Sequence, residues 1–202
     1  MSEALAITVA PAAVPAALIL EAALRKAAQT GWDRLQLHEL AAELGLPLGT
    51  LALHYADKNA LAQALFDRAD QSMWAACEAP GWRALEATAR LEQALFAWFE
   101  PLAPHRRVVG QMLRYPLQPE HVHLQLQGLL RISRTVQWWR EVAALNASGL
   151  RRELLEVVLT GIYLNTFAAW LADETLGARR ARRWLGWQLG LARASPLGAA
   201  LR

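Results

Sequence analysis

The fold is decided by the stretch Glu43–Leu61, which reads ELGLPLGTLALHYADKNAL. Gly45 and Pro47 interrupt a helical pattern of apolar residues, and a proline at this place suits the first turn of a new helix. Asp57 is typical of a residue that caps the start of a further helix. The stretch therefore predicts two short helices joined by a tight turn and followed by a longer helix.

Helical periodicity continues on both sides of this stretch, with apolar residues at i, i+3, i+4 and i+7. No alternation of period two between turn residues indicates a strand, so the chain is predicted to be all-α. Glycines, prolines and an Asn-Ala-Ser-Gly segment separate the helical segments. We predict helices over Val14–Thr30, Leu37–Leu44, Pro47–Tyr55, the segment from Asp57 to Ala76, Trp82–Glu100, His105–Leu113, Pro119–Leu145, Gly149–Asp173 and Gly177–Ala194.

The composition allows a substantial core, because 54% of the 202 residues are hydrophobic and only 19% are charged. Composition changes at Glu78–Gly81, after which most of the tryptophans lie. We predict a flexible arm over residues 1–13, a small three-helix bundle over 14–58 and a larger helical bundle over 59–202.

Charge is distributed unevenly along the chain. Residues 1–80 hold five basic and nine acidic side chains, a formal charge of −4, whereas residues 81–202 hold 16 basic and nine acidic ones, a charge of +7. Proteins that bind DNA ordinarily carry positive charge where they meet phosphate. The N-terminal part has the opposite sign.

Two features favour a soluble protein in the cytoplasm. The single cysteine, Cys77, excludes an internal disulfide and is expected to be a small buried hydrophobe. The N-terminal segment lacks the basic residues that begin a signal peptide and has Glu3 in their place, and no apolar run reaches the length of a membrane span.

The N-terminal residues follow one register at fixed spacing: Ile19, Ala22, Ala23, Gly31, Trp32, Leu40, Ala41, Gly45, Leu46, Gly49, Thr50, Leu51, Tyr55, Asp57, Lys58 and Leu61. With this register, residues 17–66 resemble the N-terminal helix-turn-helix domain of TetR-family transcriptional regulators. The resemblance implies a repressor that binds a double-stranded DNA operator, and a C-terminal domain for ligand binding and dimerisation.

The resemblance also implies which residues meet DNA: Gln36, His38, Thr50, His54, Tyr55 and Lys58. Polar side chains at the start of a helix can reach phosphate, and Thr50 and His54 share one face of the third helix. This chain departs from the family pattern at four positions of the turn and the reading helix: Pro47, Leu48, Ala52 and Leu53. Those departures remove a phosphate contact and a polar reading surface.

Seven of the nine tryptophans lie beyond Pro80. Large aromatic residues at helical spacing are mostly core, but a subset can line an apolar cavity between helices. We predict a pocket for a small hydrophobic ligand lined by Phe96, Trp98, Met112, Trp138, Tyr163, Phe167 and Trp170.

The segment Leu150–Asp173 is apolar nearly all round, so it must be covered on two sides. A partner subunit is the natural cover for the second side, and the TetR resemblance implies the same four-helix interface. We predict a homodimer that uses Leu155, Val158, Leu159, Ile162, Trp184 and Trp187.

The last predicted helix begins with four arginines among five residues, which are followed by tryptophan and leucine. It is interpreted as the final helix of the bundle with its arginines in solvent. A membrane surface remains an alternative partner, because interfacial helices also combine cations with tryptophan.

Nothing in the sequence indicates an enzyme. His121 and His123 are two residues apart and diverge on a helix, and no phosphate-binding or nucleophile motif occurs. We therefore predict no catalytic residue, no metal and no cofactor. Two hypotheses remain, namely a ligand-responsive regulator of TetR type and a TetR-like fold that binds an apolar lipid or quinone and does not read DNA.

Overall fold

A computed structural model describes residues 15–114 and 122–201 of the chain. Within these residues all regular structure is helical, so the all-α prediction is confirmed. The α-helices are α1 (Ala16–Thr30), α2 (Leu37–Glu43), α3 (Leu48–His54), α4 (Lys58–Ala76), α5 (Ala87–Phe99), α6 (Arg106–Arg114), α7 (Val122–Val142), α8 (Gly149–Leu171) and α9 (Arg179–Ala194). The arm predicted over residues 1–13 lies outside the described residues, as does Pro119, the predicted start of the seventh helix.

One predicted helix is interrupted. The segment Trp82–Glu100 begins with a short 3-10 turn at Trp82–Ala84, and α5 starts only at Ala87. The break follows from the backbone, because Leu85 and Glu86 have extended conformations between the turn and α5. Cys77 is also placed differently from the prediction: it is exposed, and its thiol donates to the carbonyl of Trp74 at 2.9 Å.

The helices α1, α2 and α3 form the small N-terminal bundle, called the head from here on. Ile19, Ala23, Leu40 and Leu51 are buried at its centre. The turn between α2 and α3 depends on Gly45, which has a φ of 65°, a conformation that glycine adopts without strain. These contacts fix α3 against α2 and leave its other side in solvent.

The helix α4 leads from the head into the larger bundle. The carboxylate of Asp57 caps α4 by accepting the N–H of Ala60 at 2.7 Å, as its residue type predicts. Near the middle of α4, the guanidinium of Arg68 pairs with Glu21 of α1 at 2.5 Å. The predicted boundary at residue 58 therefore falls where one continuous helix begins.

Tryptophan fills much of the core of the larger bundle. Trp98, Trp139 and Trp170 are fully buried. The indole N–H of Trp139 donates to the carbonyl of Leu91 at 2.8 Å, and that of Trp82 donates to Val142 at 3.1 Å. Their polar atoms are satisfied, so these rings serve as structural core.

The helix α8 is the one helix among the described residues with the length and apolarity to cross a membrane. It is nevertheless a core element, because Leu155, Leu159, Phe167 and Trp170 pack inside the bundle. A buried core helix has the same composition as a membrane span, so this feature alone indicates no membrane.

Candidate functional site

The residues predicted to contact DNA fall into two groups in the structure. The first group has accessible side chains: Gln36 and His38 at the start of α2 and His54 at the end of α3 are exposed, and Thr50 is half-buried. These four side chains are therefore accessible from solvent, as a contact with DNA requires.

The second group consists of Tyr55 and Lys58, whose polar atoms hold the head together. The ring of Tyr55 is buried, its hydroxyl donates to the carbonyl of Ala16 at 2.9 Å, and burial raises its pKa. The ammonium of Lys58 donates to the carbonyls of Trp32 at 3.2 Å and Asp33 at 3.1 Å, and burial lowers its pKa. Both side chains join α1 or its following loop to the segment that carries α3 and α4.

The head has an excess of acidic side chains, and a basic side chain on α1 is paired with two of them. The ammonium of Lys26 lies 3.1 Å from the carboxylate of Glu43 and 3.5 Å from that of Glu39, so its charge is compensated by α2. Besides Thr50 and His54, α3 turns apolar side chains to solvent, with Leu48 50% exposed and Leu53 89% exposed.

A cavity of about 250 Å³ lies in the larger bundle. Four of the seven residues predicted for the ligand pocket line it, namely Trp98, Met112, Tyr163 and Phe167. The helices α4, α5, α6, α7 and α8 all contribute to its walls, whose other residues are Asn59, Ala62, Gln63, Phe66, Leu113, Gly128, Arg131, Ile132, Leu164, Ala168 and Leu171. The cavity is therefore mostly apolar, with a few polar groups.

The other three predicted pocket residues lie elsewhere. Phe96 and Trp170 border a separate open hollow, where Arg182 lies over the Phe96 ring at 3.8 Å and Arg106 lies over Trp170 at 4.3 Å. Trp138 is 45% exposed and contacts Trp74 edge to face at 5.2 Å. Adjacent residues on a helix point in different directions, so Trp138 and Trp139 cannot both face the core. Trp139 is the buried one, which leaves Trp138 at the surface.

A buried polar network, which the sequence analysis missed, borders the cavity. The carboxylate of Asp70 accepts from the indole of Trp98 at 2.8 Å, the guanidinium of Arg131 at 2.9 Å and the hydroxyl of Thr135 at 3.2 Å. Arg131 also pairs with Asp67. Two carboxylates three residues apart on α4 face two arginines three residues apart on α7, and this spacing is the signal by which the network could have been found.

The network leaves the cavity without an unmatched charge, because Arg131 and Arg134 together balance Asp67 and Asp70. The Nε atom of Arg131 is buried and has no acceptor within the part of the chain that the structure describes. Burial raises the pKa of Tyr163 far above its usual value, so its hydroxyl stays protonated. The cavity thus favours an uncharged molecule.

An exposed apolar stripe runs along α8 and α9. Its residues are Leu150, Leu154, Val157, Leu164, Trp184, Trp187 and Leu191. Of the residues predicted for the dimer interface, Trp184 and Trp187 belong to this stripe and stack on one another at 4.9 Å. Leu155, Leu159 and Ile162 are instead buried within their own chain, and Val158 is half-buried.

The register of α8 thus differs from the prediction. When a helix is apolar on all sides, its sequence does not show which face packs inside its own domain and which could meet a partner. Only the packing of the neighbouring helices decides this.

Across residues 15–114 and 122–201, no three His, Cys, Asp or Glu side chains come close enough together to hold a metal ion.

The family model described as bacterial regulatory proteins of the tetR family matches residues 19–65. A solved structure, the TetR transcriptional regulator from Nitrosomonas europaea ATCC 19718, is 35% identical, with a TM-score of 0.79 over 89% of this chain and 98% of that chain. No curated protein matches the sequence.

Two further solved structures share the fold at lower identity. A regulatory protein of the tetR family from Rhodococcus RHA1 is 23% identical, with a TM-score of 0.51 over 87% of this chain and 95% of that one. The TetR family transcriptional regulator PfmR from Thermus thermophilus is 17% identical, with a TM-score of 0.53 over 84% of this chain and 96% of that one.

Proposed function

The chain belongs to the TetR family of transcriptional regulators, and from that premise we propose that it is a ligand-responsive repressor that binds a double-stranded DNA operator as a homodimer. A regulator of this kind works where the chromosome lies, so the proposal includes the cytoplasm. Gln36, His38, Thr50 and His54 are the proposed DNA contacts, with Tyr55 and Lys58 holding the head in shape.

The observation that carries the proposal is that one helix serves both the cavity and the head. Ala62, Gln63 and Phe66 of α4 line the cavity. The same helix begins at Lys58, which donates to the α1–α2 loop, and it pairs with α1 through Arg68. A ligand that shifts α4 would therefore change the position of the head.

Coupling of this kind requires unequal affinity. A ligand changes DNA binding only if it binds the operator-bound and the released geometries with different free energies. In this proposal α4 has a different position in the two geometries. Because α4 forms part of the cavity wall, the ligand then binds the two geometries with different affinities.

The proposed dimer interface is the exposed stripe of α8 and α9. A two-fold arrangement of these helices gives a four-helix interface and sets the two copies of α3 about 34 Å apart, the spacing of successive major grooves. The stripe takes the place of the buried residues Leu155, Leu159 and Ile162 in this proposal.

The ligand is proposed to be uncharged and mostly apolar, with an oxygen that accepts a hydrogen bond. Trp98, Phe167 and Ile132 provide apolar walls, and Tyr163 provides a protonated hydroxyl. An ionised ligand would find no unmatched charge to compensate its lost hydration.

Matched ligand pairs test this part of the proposal. Uncharged aromatic ketones are expected to raise the melting temperature and to change the tryptophan fluorescence, whereas aromatic carboxylates of the same size are not. Ala168→Trp, which places a large side chain at the cavity wall, is expected to abolish the response. Ala75→Trp, at an exposed position of α4 outside the cavity, is the control and should keep it. Equal responses to ketones and carboxylates would contradict the proposed ligand class.

Selection from a library of random duplexes tests the DNA-binding part. The dimer is expected to enrich an inverted repeat whose half-sites lie about 10 base pairs apart, centre to centre. Enrichment of no sequence over repeated cycles would contradict a regulator that reads DNA.

The second candidate function is a TetR-like protein that binds an apolar lipid or quinone and no longer reads DNA. The acidic head and the apolar surface of α3 favour it. An apolar molecule that copurifies with the protein, combined with a failed duplex selection, would support this candidate over the repressor.

A further inference from the structure

The solvent-facing side of α3 lacks the groups that usually recognise bases. The helix reads LGTLALH over Leu48–His54, without Arg, Lys, Asn, Gln, Asp or Glu. Leu53 is 89% exposed, and Leu48, Ala52 and Gly49 are exposed as well. Only Thr50 and His54 can form hydrogen bonds from α3.

The two lysines of this region are engaged elsewhere. Lys26 pairs with Glu39 and Glu43, and Lys58 donates to the carbonyls of Trp32 and Asp33. Bidentate donation from Arg or Lys to guanine is the commonest specific contact in the major groove. In this conformation neither α3 nor these two lysines provide that contact.

An apolar helix surface favours one base over the others. Thymine alone places a methyl group in the major groove, where apolar side chains can contact it. A leucine set against guanine or cytosine would instead cover hydrogen-bonding groups without pairing them, which is unfavourable.

We propose that α3 reads thymine methyl groups in the operator and that Leu53 is the principal specificity-determining residue. Leu48 and Ala52 flank it with further apolar contact. This inference rests on the proposed function, because it specifies what the helix-turn-helix recognises.

Deoxyuridine tests the inference, because it differs from thymidine only by the missing methyl group. The probe is the duplex enriched from the random library, with one thymine of each half-site replaced by uracil at the positions that contact α3. Burial of a CH₂ group contributes about 0.8 kcal/mol, so loss of two methyls is expected to weaken binding by about 15-fold. Replacement of thymines outside the half-sites should leave the affinity unchanged.

A variant assigns the contact to its side chain. Leu53→Ala is expected to weaken binding to the thymine duplex and to lose the difference between thymine and uracil. Since Leu53 is almost fully exposed, this variant should keep its fold. Leu176→Ala, which is 84% exposed between α8 and α9, is the matched control and should keep the full uracil effect.

The outcomes separate this inference from the proposed function. An enriched duplex that binds equally well with uracil would overturn the inference and leave the regulator intact. A uracil effect that persists in Leu53→Ala would overturn the role of Leu53. If no duplex is enriched, both the inference and DNA reading fail.

Discussion

Single carboxylates hold the helices of the larger bundle together at two places. Asp70 is 2% exposed and joins α4 to α5 and α7 through Trp98, Arg131 and Thr135. Asp173 is also buried and accepts the N–H of Ala181 at 2.8 Å, which caps the start of α9. We therefore expect the replacement of either carboxylate to lower the stability of the whole bundle.

Replacement of Asp70 tests the first of these sites. Asp70→Ala leaves the buried guanidinium of Arg131 with less compensation, and the loss of one partner of a buried pair typically costs about 3–5 kcal/mol. We expect a loss at the lower end of that range in the free energy of unfolding, measured by urea denaturation, because Asp67 still pairs with Arg131. Asp67→Ala is the control, and a loss as large as that of Asp70→Ala would contradict this assignment, because the Asp67 side chain is 54% exposed.

The pH dependence of stability tests the second site. Burial raises the pKa of Asp173, but hydrogen bonds from Thr175, Ala181 and Arg180 outweigh burial and lower the pKa to about 2. Since an unfolded aspartate has a pKa of about 3.9, the stabilisation is present above that pH and is lost as the pH falls towards 2. Asp173→Asn should therefore lower the melting temperature at pH 7, with a difference that shrinks below pH 4. Glu174→Gln, at the exposed neighbouring position, should show no such pH-dependent difference.

At the level of the elements, the turn between α2 and α3 sets the orientation of α3, the helix proposed to enter a groove of DNA. Gly45 has a φ of 65°, and apart from the adjacent residues no heavy atom lies within 4 Å of the place where a β-carbon would be. A substitution here is therefore opposed by backbone strain alone.

Gly45→Ala is expected to lower the free energy of unfolding by about 1–2 kcal/mol, the cost of a left-handed conformation for an L-residue. Chemical denaturation measures this loss. Gly45→Asn should lose less, because asparagine tolerates the left-handed region. Equal losses for the two variants would mean that the turn relaxes to another conformation.

The sequence predicted the elements better than the faces they present. Gly45, Pro47 and Asp57 act on the backbone next to them, so the turn and the start of α4 could be placed from residue types alone. The inward face of α8 depends instead on α7 and α9, and the choice of Leu155 over Leu154 could not be made from its periodicity. Trp138 and Trp139 show the same ambiguity, because both rings suit a core.

The candidate sites follow the same division. The spacing of residues in the N-terminal sequence predicted the helix start at which Gln36 and His38 lie. Arg131 lies at the cavity only because α7 packs against α4. Contacts between distant helices are set by tertiary packing, which a periodic pattern in one segment does not specify.

For the whole molecule, the proposed dimer links the exposed stripe to the proposed DNA binding. Val157 is 70% exposed at the centre of the stripe on α8, and a charge there would have to be buried by a partner. Val157→Asp is expected to convert a dimer into a monomer of 22.4 kDa in sedimentation experiments and to weaken operator binding.

A control separates dimerisation from general effects of a surface charge. Leu18 is 57% exposed on α1, outside the stripe, so Leu18→Asp should leave the mass unchanged. A native protein that is monomeric at micromolar concentration would contradict the proposed interface.

The most direct test of the central claim is an anisotropy titration of the native protein with the duplex upstream of its own gene and with a scrambled duplex, at several salt concentrations. The proposed regulator should prefer the native duplex by about 10³-fold or more, and its affinity should fall steeply with salt as phosphate counterions are released. Weak and equal binding to both duplexes at low salt would contradict DNA reading by this chain and leave the ligand cavity as its functional site.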